Sequence, residues 1–162
     1  MHTLNLPANF TLYRGTRDIF NYERNSPVYF TFGSNGAQIA ENAYAKPGTG
    51  AKVLEFKTAK KLVLLDMSKP ETIVGLFNKA SSNEDLLRSL AKSFSVKDGK
   101  VLRSSKFKHD DKVSRLVCRL GFDGYYAPRI KERKTTQGYF HPEIVLCKAA
   151  SVLRGPGRPI AP

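Results

Sequence analysis

Two kinds of apolar pattern divide this chain, and their order is what most narrows the folds open to it. In its first part and again near its end, apolar, aromatic and β-branched residues form short blocks of strand character. These are FTLYRGTR from Phe10, VYFTF from Val28, KVLEFKTA from Lys52, KLVLLDM from Lys61 and YFHPEIVLCKA from Tyr139. Between them the period lengthens. SKPETIVGLFNKA opens with Ser68 as cap, a first-turn proline and the acidic Glu71, and SNEDLLRSLAKSF is capped by Ser82 or Asn83. DDKVSRLVCRLGF sets Val113, Leu116, Val117 and Leu120 three and four apart before Gly121, a helix stopped by glycine. AQIAENAYA, after Ser34 or Asn35, reads as an earlier helix. Strands at both ends with helices gathered in the middle make an α+β fold rather than a regular βαβ alternation.

The segments between are polar. Ser95–His109 is poorly periodic and reads as a loop, Arg129–Gly138 as a basic loop, and Arg154–Pro162, rich in proline and glycine, as a mobile tail. At 162 residues, 1–153 form a single domain with a genuine core and 154–162 the tail. With no run of 18 apolar residues, no membrane span is expected, and the N-terminus lacks the pattern of a secretory signal. Cys118 and Cys147 each follow an apolar residue and read as buried reduced thiols, which points to an intracellular compartment. The strongest compositional signal is charge: 27 Lys and Arg against 14 Asp and Glu leave +13, a field that favours polyanions.

Several familiar chemistries are excluded. His2, His109, His141 and two distant cysteines offer no metal spacing. GTGAK is too short for a phosphate loop, no Gly-x-Ser-x-Gly elbow occurs, and GPGRP lacks the first arginine of a minor-groove hook. Three stretches remain. LYRGT ends a strand with Arg14, a bidentate phosphate donor, beside Gly15, where a ligand can approach the backbone. VYFTF sets the Thr31 hydroxyl between Phe30 and Phe32, and FHPEIVL holds Glu143 at the mouth of an apolar strand.

LYRGT, PVYFTF, AENAYA and FHPEIVL, in that order, resemble the ADP-ribosyltransferase superfamily over most of the chain. The likeness is to its Arg-Ser/Thr-Glu type, with features of the His-Tyr-Glu branch. The resemblance implies two small packed antiparallel or mixed sheets with flanking helices and a central cleft for NAD, which is substrate; no metal is implied. It implies that Glu143 stabilises the charge developing on the ribose, that Arg14 holds phosphate or adenosine ribose, and that Thr31 orients Glu143. Gly15, Thr16, Tyr29, Phe32 and Tyr44 would complete the NAD site, with Tyr29 or Tyr44 stacked on nicotinamide.

Arginine-modifying members carry Glu two positions before the catalytic Glu; here His141 stands there, followed by Pro142, so arginine is not the expected acceptor. The acceptor loop would present Arg129, Lys131, Arg133 and Lys134 with Tyr139 and His141, a set suited to an acidic protein surface or nucleic-acid phosphates. Tyr125, Tyr126 and Tyr139 are candidates for stacking on a base. The expectation is a monomeric enzyme moving ADP-ribose from NAD to a macromolecule. Its rivals are an NAD glycohydrolase and a catalytically silent, basic nucleic-acid-binding protein.

Overall fold

The computed structural model describes residues 1–16, 27–44, 52–103, 110–131 and 140–160; side chains at 42–44, 103, 129–131 and 140–141 are outside the description. Ten strands and five helices follow one another among these residues. They are β1 (Thr3–Leu6), β2 (Thr11–Thr16), β3 (Val28–Phe32), α1 (Gly36–Tyr44), β4 (Lys52–Lys57), β5 (Leu62–Asp66), α2 (Pro70–Lys79) and α3 (Glu84–Ala91). Then come β6 (Phe94–Lys97), β7 (Lys100–Arg103), α4 (Asp111–Arg119), β8 (Gly124–Lys131), β9 (Phe140–Leu146), α5 (Ala149–Val152) and β10 (Arg158–Ile160). The α+β class holds. In place of two separate small sheets there is one continuous eight-stranded sheet, ordered β1-β5-β8-β9-β3-β2-β4-β10, with β6–β7 as a separate ribbon. Among the described strands only β5 and β8 pair in parallel, because α2, α3 and α4 lie between them and carry the chain back to the starting end.

Strand alternation gives each face its own core. Tyr29, Leu65, Tyr125 and Val145 point to the face covered by α2–α4, among Ile73, Leu76, Leu90 and Val117. Val28, Phe30, Leu64 and Ile144 point to the other, where Leu12 of β2, Phe56 of β4 and Val152 of α5 share their cluster. Strands from opposite ends of the order thus meet around one core, so the sheet curls over itself, with the Phe30 and Phe56 rings edge to face at 5.4 Å. Gly124 marks the tightest crossing: a Cβ there would sit 1.8 Å from Val145 O.

The helix ends show why these segments are helical. Asn83 caps α3 by accepting from the Leu86 amide at 3.1 Å, and Asp110 caps α4 by accepting from Lys112 N at 2.9 Å. α2 starts on Pro70 with Lys69 as its N-cap; Ser68, the expected cap, instead gives its amide and hydroxyl to Asp66 Oδ1.

Four other expectations change. Part of Ser95–His109 is a hairpin, β6–β7, turning on Asp98 and Gly99, whose φ values of 51° and 72° suit a two-residue turn with both centres left-handed. Arg129–Lys131 continue β8 rather than beginning a loop. Arg158–Ile160, expected in a mobile tail, pair with β4. Cys118 and Cys147 are not reduced thiols but a disulfide joining α4 to the end of β9, which removes the cysteine argument for an intracellular site. No described helix is long and apolar enough to cross a membrane.

Candidate functional site

β3 changes partner halfway along, and a seam opens there. Val28, Tyr29 and Phe30 pair with β9, and the ladder stops at Phe30–Ile144, one step short of the register that would set Thr31 against Glu143. On the other edge, Leu12 pairs with Phe32 and Tyr13 with Thr31, and Arg14 lies just past the end. Arg14 spans the gap with its side chain: Nη1 donates to Tyr29 O at 2.9 Å. A guanidinium and a carboxylate thus sit on strands flanking β3, at the place where neither ladder continues.

A bulge fixes the other side of Glu143. Ala127 pairs with Glu143 and Ile130 with His141, so Pro128 and Arg129 oppose Pro142 alone. Two prolines, neither with an amide hydrogen, fit a position where the ladder breaks, and such bulges re-aim the neighbouring side chains. Glu143 leaves this bend 1% exposed, on the face that carries Tyr29 and Tyr125.

The carboxylate sits among phenols. Tyr125 is 1% exposed and its hydroxyl lies 3.0 Å from Ser114 Oγ, which α4 brings down from the helix layer. Burial pushes the Tyr125 phenol far above its ordinary value; the Ser114 hydrogen bond opposes this, while Tyr29, Glu143 and Asp111 add to the rise. Tyr29 is pushed up to about 12, first by burial and next by the Asp111 carboxylate. Its hydrogen bond to Ser114 pulls the other way, Glu143 raises it further, and Arg14 lowers it. At neutral pH both phenols keep their protons and remain donors. Asp110 anchors this end of α4: burial alone would raise its pKa, but hydrogen bonds from Lys92, the Lys112 amide and Ser89 hold it below the usual carboxylate range. A negative charge in such dry surroundings acts on a nearby cationic centre far more strongly than it would in water.

The structure therefore brings Arg14, Tyr29 and Glu143 into one electrostatic neighbourhood. Thr31 borders it, but its hydroxyl proton goes to Gly36 O at 2.6 Å, so it holds the start of α1 rather than donating to Glu143. Gly15 and Thr16 lie on β2 beyond the β3 pairing, held by β4 through Val53 and Lys52. Phe32 is turned away from the seam: it meets Phe10 and Tyr126, each at 6.1 Å between ring centres, in the opposite core. Tyr44 ends α1, and its side chain lies outside the description.

Of the expected acceptor residues, Arg129, Lys131 and His141 lie on β8 and β9, with side chains outside the description; Arg133, Lys134 and Tyr139 lie outside the described residues altogether. Asp111 and Ser114 were not among the expected site residues. The available signal was Ser114 itself, a small polar residue on the helix stripe formed by Val113, Leu116 and Val117. Among the described residues no group of three His, Cys, Asp or Glu could hold a metal ion. No protein-family model, curated protein or solved structure matches this chain.

Proposed function

We propose that this protein transfers ADP-ribose from NAD to a macromolecular acceptor, protein or nucleic acid, and releases nicotinamide. The observation that carries the reading is the buried Glu143 carboxylate at the seam where β3 changes partner, with the Arg14 guanidinium on the strand opposite. The donor set suits NAD: a cation for phosphate, an anion for a ribose hydroxyl, and an aromatic residue, Tyr29, between them. As the nicotinamide–ribose bond breaks, nicotinamide leaves with the bonding electrons and the ribose becomes cationic. Glu143 supplies the compensating charge, and the neighbouring phenols of Tyr29 and Tyr125, which keep their protons, add no competing charge. Arg14 ties β2 to β3 through the Tyr29 carbonyl and places a guanidinium at the seam, the cation a phosphate would meet. Thr31 acts indirectly, by fixing α1 beside the seam.

The test is nicotinamide release and transfer of labelled ADP-ribose, with protein, DNA and RNA offered separately. Glu143→Gln keeps the shape and removes the charge, and should lower nicotinamide release by about 10²–10³-fold; an unchanged rate removes Glu143 from the mechanism. Free ADP-ribose without a labelled macromolecule assigns the protein to NAD hydrolysis instead. Absence of NAD binding by calorimetry rejects both enzymatic readings.

A further inference from the structure

A second candidate site lies just beyond the C-terminal end of β9. A cleft of about 660 Å³ is walled by α4, the β9–α5 link and the turn between β4 and β5, and the Cys118–Cys147 disulfide lines it. It contains none of Arg14, Tyr29 or Glu143. Among the described residues its walls carry Lys60, Arg115, Arg119 and Lys148, all exposed, against a single carboxylate, Asp123, whose Oδ2 accepts from the Val63 amide at 2.8 Å.

Two features mark this charge cluster. None of its four cations forms an ion pair among the described residues. The fold also forces the like charges together. Arg115 and Arg119 stand one turn apart on α4, a spacing that destabilises a helix when the charges are alike. Arg119 and Lys148 are the immediate chain neighbours of Cys118 and Cys147, so the disulfide ties together the two backbone segments that carry them into the cleft wall. A covalent bond that opposes repulsion between cations lining an open cleft preorganises that cleft for an anion.

We propose that this cleft binds the phosphodiester backbone of a single-stranded nucleic acid. The cations come from three separate elements around an open volume, which suits a chain of phosphates better than one compact anion. Half-buried Phe122 adds an aromatic wall on which a base can stack. The net +13 speeds encounter with such a strand. The proposal is independent of the ADP-ribosyl reading, since the two sites share no residue.

The experiment is fluorescence anisotropy with a labelled single-stranded oligonucleotide over a series of salt concentrations. Arg119→Glu with Lys148→Glu should weaken binding about tenfold or more and reduce the magnitude of the log K against log salt slope by roughly 1.4, two contacts at about 0.7 each. Lys97→Glu with Lys100→Glu makes the same charge change on the exposed β6–β7 hairpin and should leave the slope unchanged. Equal loss in the two double variants, or no binding by the unmodified protein, overturns the proposal. Inorganic tripolyphosphate binding as tightly as the oligonucleotide overturns the assignment to a strand. A readout in the unmodified protein is independent of any variant's folding: bound strand should slow reduction of Cys118–Cys147 by dithiothreitol severalfold. No protection would place the strand elsewhere and reject the cleft.

Discussion

β9 and the link that follows it treat charge in opposite ways. Midway along β9, Glu143 is 1% exposed, between a bulge and two phenols, with Arg14 across the seam. Just past the strand, Lys148 is exposed in an open cleft with Arg119, Arg115 and Lys60. The first arrangement concentrates the field of one carboxylate by excluding water; the second spreads several cations over a surface where each is screened. A buried charge requires a fixed set of partners, and the curled sheet with α4 supplies them. Exposed like charges require only a scaffold that keeps them from drifting apart, and the disulfide is that scaffold. β9 thus carries a site built on dryness and leads into one built on crowding, and helix α4 serves both, with Ser114 buried toward the sheet and Arg115 and Arg119 exposed on the cleft wall.

This contrast is open to direct attack, most severely through the disulfide. Its ends are separated by 29 residues, so replacing both cysteines by alanine should cost roughly 3–4 kcal/mol by chain entropy, read from urea unfolding. A loss near zero would mean that packing alone holds the cleft walls. At the dry end, Ser114→Ala strips a hydrogen-bond partner from buried Tyr125 and from Tyr29, and should cost about 1–3 kcal/mol. Adding Tyr125→Phe should recover part of that loss, because the buried hydroxyl deprived of its Ser114 bond is then gone. Additive costs in that cycle would show that the two groups do not act together.

Alkali offers a gentler probe. In the folded protein Tyr29 holds its proton up to about 12, against an ordinary 10.0, so the stability tied to it is present below pH 10 and lost as pH rises toward 12. Tyr125 shifts in the same direction and should steepen the loss. Urea midpoints measured across that range should fall, and Tyr29→Phe should flatten the curve. The smallest effect is expected in the cleft: Arg119→Gln removes a charge that has no partner there, so stability should move by no more than ~0.5 kcal/mol, toward stabilisation. A clear destabilisation would mean that Arg119 makes a structural contact and that the cleft is less crowded than described.

How much of this was legible in the sequence depended on whether the signal was local. Helices α3 and α4 announced themselves through caps and a three-four stripe, because those features are written within a few residues. The β6–β7 hairpin was missed although Asp98-Gly99 is a strong turn pair: a ribbon of four-residue strands rich in lysine offers little apolar alternation to read. β1 and β10 depend on distant partners, β5 and β4, and their own composition is ordinary. Arg14 and Glu143 stood out through the short contexts LYRGT and FHPEIVL, and the structure sets both at the seam. Thr31 was expected to orient Glu143; its hydroxyl is buried and donates to the carbonyl oxygen of Gly36, the first residue of α1, a partner that composition cannot reveal. The cysteine pairing was invisible for the same reason: apolar neighbours describe burial, and only the tertiary path of α4 against β9 brings the sulfurs together.

That pairing has one more consequence. Residues 118–147 form a closed covalent ring, and within it lie β8, β9, Glu143 and every residue expected to meet an acceptor, from Arg129 to His141. A single peptide-bond cut inside this ring would not divide the molecule while the bridge is oxidised. The nicked chain would migrate as one band until a reductant released its two parts.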